Sequence, residues 1–507
     1  MKPLWRAVIV VCTGLFLLLP ASWGQFRWLK GAAHFVPTNR LSGVGLDREE
    51  MSDLVLQRRT DLMIESQTFS IMRDPQALAG AKRMFSPQLA KLFHDSAEKA
   101  GWPEATLRAI AYLESWGDSK AESPAGPRGI MQISEATARS MGLRVLYGKQ
   151  YHITTETRKV KLKNGRTVAR KISHRTAYSV LVRDDRLFPE RAVPAAARYL
   201  AGLEKKFGGR DWAIFAYHCG AGCVADFQTL VERARLEQKG SATVARAFFS
   251  ASPVQNRAIY EAIQHHMERD YSPTYWFRIM RAEQLLNLYK SDPDEFTQLI
   301  GYYRNPDNPA IRAPHRLTVW LKPGDLMFRN CDDIRRDDGK HLVKAVEDPE
   351  AFGFSLRKSS LGADDLLNQE YYLQASPAAV GTLMYIAFET RRLYSKMDTN
   401  GKFVPLEVTS LVRPLDRLAN GLAVKTEAAA HCTGQVFDVD YSNLPPKERE
   451  ALQFVLDDLG WDGYLGFVEE SPKSGTLHIG CAPSVRDFFA RVFDEAMKGN
   501  VVEAAGQ

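Results

Sequence analysis

Residues 114–143 read ESWGDSKAESPAGPRGIMQISEATARSMGL, and they decide how the rest of the chain is read. The stretch opens on a carboxylate. Leu107, Ile110, Ala111 and Glu114 follow one another at i, i+3, i+4 and i+7, so a helix from about Pro103 toward Ser115 sets Glu114 on an otherwise apolar face. A carboxylate there loses hydration, which disfavours its charged form and raises its pKa. A general acid needs that property to protonate a glycosidic oxygen near neutral pH. Taken alone, the helix is better explained by a terminal Glu that reaches solvent. The residues after it reverse the balance.

Glu114-Ser115, a turn, Ser123, Gly126, Gly129-Ile130-Met131-Gln132, Thr137-Ala138 and Gly142 together resemble the signature of the soluble lytic transglycosylase family, which shares the lysozyme fold. Three more blocks fall in that family's order: DDRLFPERAVPAAARYLAGLEKKFGG (184–209), AYHCGAGCV (216–224) and TYWFRIMRA (274–282). Several ordered motifs are more specific than any one of them. The resemblance implies a mainly α, lysozyme-like domain with Glu114 as catalytic acid and base. It also implies Ser115, Ser123, Met131 and Gln132 along the sugar groove, and Tyr217 and Tyr275 as active-site tyrosines. The chain departs from the pattern at His218, where the family has Asn. Cys219 and Cys223 replace small residues, and either form a local disulfide or simply pack.

Those blocks supply one carboxylate, whereas ordinary glycosidases use two. The family's solution, which the resemblance implies here, is assistance by the substrate's own acetamido group and closure of a 1,6-anhydro ring, with no cofactor. Hydrolysis of the goose-type lysozyme kind stays open. For it Asp118, Asp184 and Asp185 are the nearest second carboxylates, expected on exposed turns. A binding protein that recognises peptidoglycan without turnover is the reading from another class.

Outward from this core, residues 150–175 interrupt the helices, with Asn164-Gly165 as a hairpin turn between two basic, β-prone arms. Arg158, Lys159, Lys161, Lys163, Arg166, Arg170 and Lys171 there suit anionic wall polymers or stem-peptide carboxylates, or form a solvated surface. Upstream, Lys2 and Arg6 precede an apolar run, Ala7 to Leu19, broken by Pro20 and followed by small residues. Residues 1–24 therefore read as a secretory signal, with an uncleaved anchor as the alternative, and the expected location is the periplasm or cell envelope of a bacterium. Residues 25–84 form an extension, 85–303 the lysozyme-like domain, 304–316 a proline-rich linker, and 317–500 a smaller α+β domain. Strands are expected at 317–321, 405–412 and 435–441, and helices at 447–459 and 483–497.

In that last domain HCTGQVFD (431–438) and LHIGC (477–481) offer His431, Asp438 and His478, two imidazoles and a carboxylate that leave a fourth zinc position for water. With TSLVRP (409–414) upstream, the order resembles the zinc D-Ala-D-Ala peptidases of the LAS or M15-like group. The resemblance implies zinc on those three residues and a substrate carboxylate on Arg413. The group's serine is Ala429 here, and its catalytic glutamate position is Gly475, so Glu469 or Glu470 from a neighbouring strand is the candidate base. The domain either trims peptide stems or only grips them.

Five cysteines follow the signal, an odd number. If both zinc segments are extended, Cys432 and Cys481 lie on the opposite sheet face from the histidines and are expected to bridge. Net charge is +7, with 45% hydrophobic and 25% charged residues, ordinary for a globular chain. The expected partners are glycan strands, stem peptides and other cell-envelope proteins, and not nucleic acid.

Overall fold

The computed structural model describes residues 37, 52–236, 242–304, 324–346, 348–361, 365–417, 427–471 and 475–504. The signal segment, most of the 304–316 linker and the strand expected at 317–321 lie outside them. No helix among the described residues is long and apolar enough to cross a membrane.

The N-terminal half is helical. Helices α1 (Asp53–Ser66), α2 (Pro87–Ala100), α3 (Glu104–Ser115) and α4 (Glu135–Ser140) come first. A two-stranded ribbon follows, β1 (Val145–Lys161) and β2 (Thr167–Asp184). Then come α5 (Pro189–Phe207), α6 (Arg210–Cys219), α7 (Ala221–Arg233), α8 (Arg257–Met267) and α9 (Tyr275–Ser291). Helix α5 stops at Gly208, whose left-handed backbone (φ 74°) is a glycine helix end. Leu107, Ile110 and Ala111 of α3 are fully buried, and α3 packs along α9. Each large apolar side chain so buried contributes roughly 1.5–3 kcal/mol.

The C-terminal half is a mixed sheet with helices: β3 (Phe354–Leu356), α10 (Pro377–Met397), β4 (Leu406–Ser410), β5 (Val436–Asp440), α11 (Pro446–Trp461), β6 (Leu465–Ser471), β7 (Thr476–Cys481) and α12 (Arg486–Ala504). Strand order is β3-β4-β5-β7-β6, parallel only between β3 and β4. Central β5 is buried at every position, including its two aspartates, Asp438 and Asp440.

The halves share one core. Arg59 of α1 is fully buried and pairs with Asp458 at 2.9 Å and Asp462 at 2.5 Å, at the end of α11. Phe248 and Phe249 lie 5.2 and 5.6 Å from the Trp461 ring. The region expected as an extension, residues 25–84, thus contributes from Ser52 onward to the helical body and bolts it to the sheet.

Candidate active site and metal centre

Helix α3 ends abruptly because Trp116 (φ 53°) and Gly117 (φ 76°) turn left-handed. Gly117 holds a backbone conformation in which a side chain is strained, and a Cβ there would also crowd the Met84 methyl at 2.4 Å. The chain then loops back, and the buried Ser115 hydroxyl donates to the Ile130 carbonyl at 2.8 Å. Gly129 passes so close to Arg186 that a Cβ would stand 1.9 Å from its carbonyl oxygen. The Gln132 amide donates to the carbonyls of Ala121 and Gly129 at 3.1 and 2.9 Å, and Ser123 turns the loop by accepting from Ala125 N–H. Met131 is fully buried, and its carbonyl accepts from the Tyr217 hydroxyl at 2.7 Å. Of the residues expected along the sugar groove, Ser115 and Met131 are therefore interior, and both hold the loop against Glu114.

Glu114 is half-buried and accepts a 2.5 Å hydrogen bond from the Tyr275 hydroxyl. Burial pushes its carboxyl above the usual range, against the opposing pull of Tyr275, His218 and Arg278. Burial and the Glu114 charge raise both Tyr275 and Tyr217, so the two phenols keep their protons. His218 stacks flat on Tyr275, with ring centres 4.3 Å apart at 8°. Cys219 and Cys223 form a disulfide from the end of α6 to α7. Arg278 had escaped the sequence reading, although it follows Tyr275 by one helical turn on α9.

Among the described residues, the groups acting on Glu114 are thus one phenol (Tyr275), an imidazole (His218) and a guanidinium (Arg278), with no carboxylate among them. Asp118 is exposed and accepts from Lys120 N–H. Asp184 and Asp185 are not on exposed turns, as was expected of them, but buried. Arg186 holds Asp184 at 2.6 Å; Arg183 and Arg144 hold Asp185 at 2.8 and 3.3 Å. Both are committed to bracing the root of the ribbon.

The second cluster brings His431, Asp438 and His478 together, all buried. Asp438 on β5 stands opposite His478 on β7, so register alone puts both on one sheet face. His431 joins them from a 3₁₀ turn, Glu427–Thr433. The ligand atoms lie 3.2 Å (His431 Nε2 to Asp438 Oδ1), 3.1 Å (His431 Nε2 to His478 Nδ1) and 2.7 Å (His478 Nδ1 to Asp438 Oδ1) apart. Tetrahedral zinc with bonds of about 2.0–2.1 Å separates its ligand atoms by roughly 3.3 Å, so the triangle is nearly the size required. The donor set fits too. His431 Nδ1 lies 2.6 Å from the Leu411 carbonyl, an acceptor, and so carries the hydrogen. That turns the lone pair of Nε2 toward a carboxylate and a second imidazole, an arrangement that calls for a cation. Burial raises the Asp438 carboxyl, but the two imidazoles outweigh it and hold it well below the usual range.

Arg413 donates its backbone N–H to the His431 carbonyl at 3.2 Å and is half-buried. Ser410, which the sequence did not signal, places its hydroxyl 3.3 Å from His431 Nδ1. Glu469 does not reach this cluster. It stands opposite Leu477, one residue out of phase with the Val468–His478 pair, so it points to the other sheet face. There it accepts from the Tyr441 hydroxyl and lines a cleft of about 770 Å³ with Tyr260 and Gln264 of α8. The side chain of Glu470 lies outside the described residues.

The Cys432–Cys481 bridge is also overturned, since both are buried free thiols. Strand β7 is extended as assumed, but the 3₁₀ turn at Cys432 breaks the alternation on which the pairing rested.

Against this geometry, residues 91–159 and 166–236 match the family model of the transglycosylase SLT domain, and the N-terminal half carries that domain. Over 132 residues the chain is 35% identical to the peptidoglycan transglycosylase gp16 of Escherichia phage T7. That alignment covers 26% of this chain but 8% of the phage protein, so the chain spans a small part of that relative's length.

Proposed function

We propose that the chain is an exported peptidoglycan lytic transglycosylase that cleaves the MurNAc–GlcNAc bond and leaves 1,6-anhydromuramic ends. The observation that carries this is Glu114, half-buried at a helix end, with its carboxyl raised by burial and the Tyr275 hydroxyl 2.5 Å away. Protonated Glu114 donates to the leaving glycosidic oxygen as the C1–O bond breaks and the muramic acetamido oxygen closes on C1. The Glu114 carboxylate then takes the proton of the C6 hydroxyl, whose oxygen attacks C1 and releases the acetamido group. No water is consumed, and Glu114 ends protonated. Tyr275, kept neutral, hydrogen-bonds the carboxylate between the two steps. Among the described residues no carboxylate acts on Glu114, which favours this route over a two-carboxylate hydrolysis.

In the C-terminal half His431, Asp438 and His478 would hold zinc, which when bound polarises a water or a carbonyl. Arg413 would bind a carboxylate of the peptide stem. With Glu469 facing away, peptide gripping is better supported than peptide cleavage. Digestion of purified sacculi followed by mass analysis tests the whole reading. Anhydro ends are expected; reducing ends labelled from heavy-oxygen water would make the enzyme a hydrolase, and shortened stems would restore the peptidase.

A further inference from the structure

The β1–β2 ribbon is longer than the 150–175 hairpin expected from the sequence and is exposed along almost its whole length. Its register is unbroken from Tyr147 to Lys161, and partners across an antiparallel ladder share a face. Lys149, Lys159 and Lys161 of β1 therefore share one face with Lys171 and Arg175, which stand opposite Thr157 and Ile153. No carboxylate belongs to that face. The ribbon's one acid between Leu146 and Arg183 is Glu156, on the other face, where it pairs with His174 at 3.2 Å. Among the described residues the four lysines make no ion pair, and Arg175 lies over the Tyr151 ring at 3.5 Å. From Lys149 to Lys161 the stripe runs for roughly 40 Å at about 3.4 Å per residue.

A one-signed stripe repels itself, and nothing in the fold requires it, so it fits a ligand that supplies the missing charge. The ribbon's root indicates which ligand. Strand β1 leaves from the buried Val145, and β2 returns to Asp184 and Arg186. The Arg186 guanidinium donates to the Ile133 carbonyl at 3.1 Å, and its backbone abuts Gly129. That loop is tied to Ser115, next to Glu114, through the Ile130 carbonyl, so the ribbon is rooted on the segment that positions the candidate acid.

We infer that the β1–β2 ribbon is a substrate-holding arm whose lysine face binds the carboxylates of the polymer being cleaved at Glu114. This rests on peptidoglycan as the substrate, and the test separates the two. Full-length Glu114→Gln protein is sedimented with purified sacculi, alone and combined with Lys149→Gln, Lys159→Gln, Lys161→Gln and Lys171→Gln. The four changes should weaken binding roughly tenfold or more, flatten its salt dependence, and be rescued by Lys→Arg at the same positions. Undiminished binding of the Gln variant overturns the arm. So does equal binding to sacculi whose carboxylates have been amidated, and so does tighter binding to phosphatidylglycerol vesicles than to sacculi. If wild-type protein releases no muropeptides while the binding results stand, the proposed activity fails and the arm does not.

Discussion

Glu114 and Asp438 are both carboxylates withdrawn from water, yet the protein drives them in opposite directions. Burial dominates at Glu114, whose hydrogen-bond partner is a neutral phenol, and the acid is favoured. At Asp438 burial is deeper, but two imidazoles face the same oxygen, and the carboxylate is favoured. The difference teaches that depth in the fold does not decide what a carboxylate does. The charge of its immediate partners decides, and it sorts one residue toward proton transfer and the other toward holding a cation.

The strongest way to break this contrast is to remove the transferable proton. Glu114→Gln keeps the shape and an acceptor for Tyr275, so the fold and sacculus binding should persist. Release of anhydromuropeptides should fall by roughly 10²–10⁴, the contribution of a positioned acid and base. Substantial release by a folded Gln variant would falsify the role given to Glu114.

At the other site the expected loss is of metal. Protein purified without chelator should contain about one zinc per chain, and a His431→Ala, His478→Ala double variant close to none. Chelation should lower the melting temperature of the C-terminal half, since a ligand present at about 100 times its Kd stabilises by roughly 2.7 kcal/mol. Glycan cleavage should survive. Metal content that is the same in the double variant and the wild type removes this centre.

A smaller effect sharpens the contrast at Glu114. The Tyr275 hydrogen bond pulls the Glu114 pKa down against burial. In Tyr275→Phe that pull is gone and the pKa rises further. The protonated acid is lost as pH rises through the folded pKa, so the alkaline fall in cleavage rate should move to higher pH. The rate itself should drop about tenfold, the cost of one hydrogen bond to a charged group. An alkaline limb that stays put or moves down would show that Tyr275 does not act on this carboxyl.

Much of this was legible before the fold. The i, i+3, i+4, i+7 pattern locates Glu114 on α3, Asn164-Gly165 locates the ribbon's turn, and the 405–412 and 435–441 runs contain β4 and β5. What escaped depends on partners far along the chain. Arg183 and Arg186 flank Asp184-Asp185 in the sequence, but nothing local shows that they turn inward onto the pair or that Arg144, 41 residues upstream, joins them. Residues 52–84 are hard to read because the role of Arg59 is fixed by Asp458 and Asp462. The positions of Glu469 and Cys432 turned on strand phase and on a 3₁₀ turn, and a shift of one residue reverses a side chain's face.

Glu448 is the third case on which the contrast can be tried, with the smallest expected effect. It is fully buried at the start of α11, and one oxygen accepts the Val404 N–H at 3.1 Å. Burial pushes its carboxyl up to about 7, while that hydrogen bond and the more distant Arg391 pull the other way. Among the described residues no cation bonds it directly, so the rule drawn from Glu114 and Asp438 assigns it to the protonated class. The folded pKa lies above the unfolded one, so the native state holds the proton more tightly. Its stabilising contribution is complete below about pH 4 and is lost as pH rises through about 7. Glu448→Gln keeps an acceptor for Val404 and has no proton to lose. It should therefore unfold at nearly the wild-type temperature at pH 5, and several degrees above it at pH 8, for a difference on the order of 3 kcal/mol at most. Parallel melting curves at the two pH values decide it: a Gln variant no more stable than wild type at pH 8 means that the fold does not raise the Glu448 carboxyl, and that Arg391 offsets its burial.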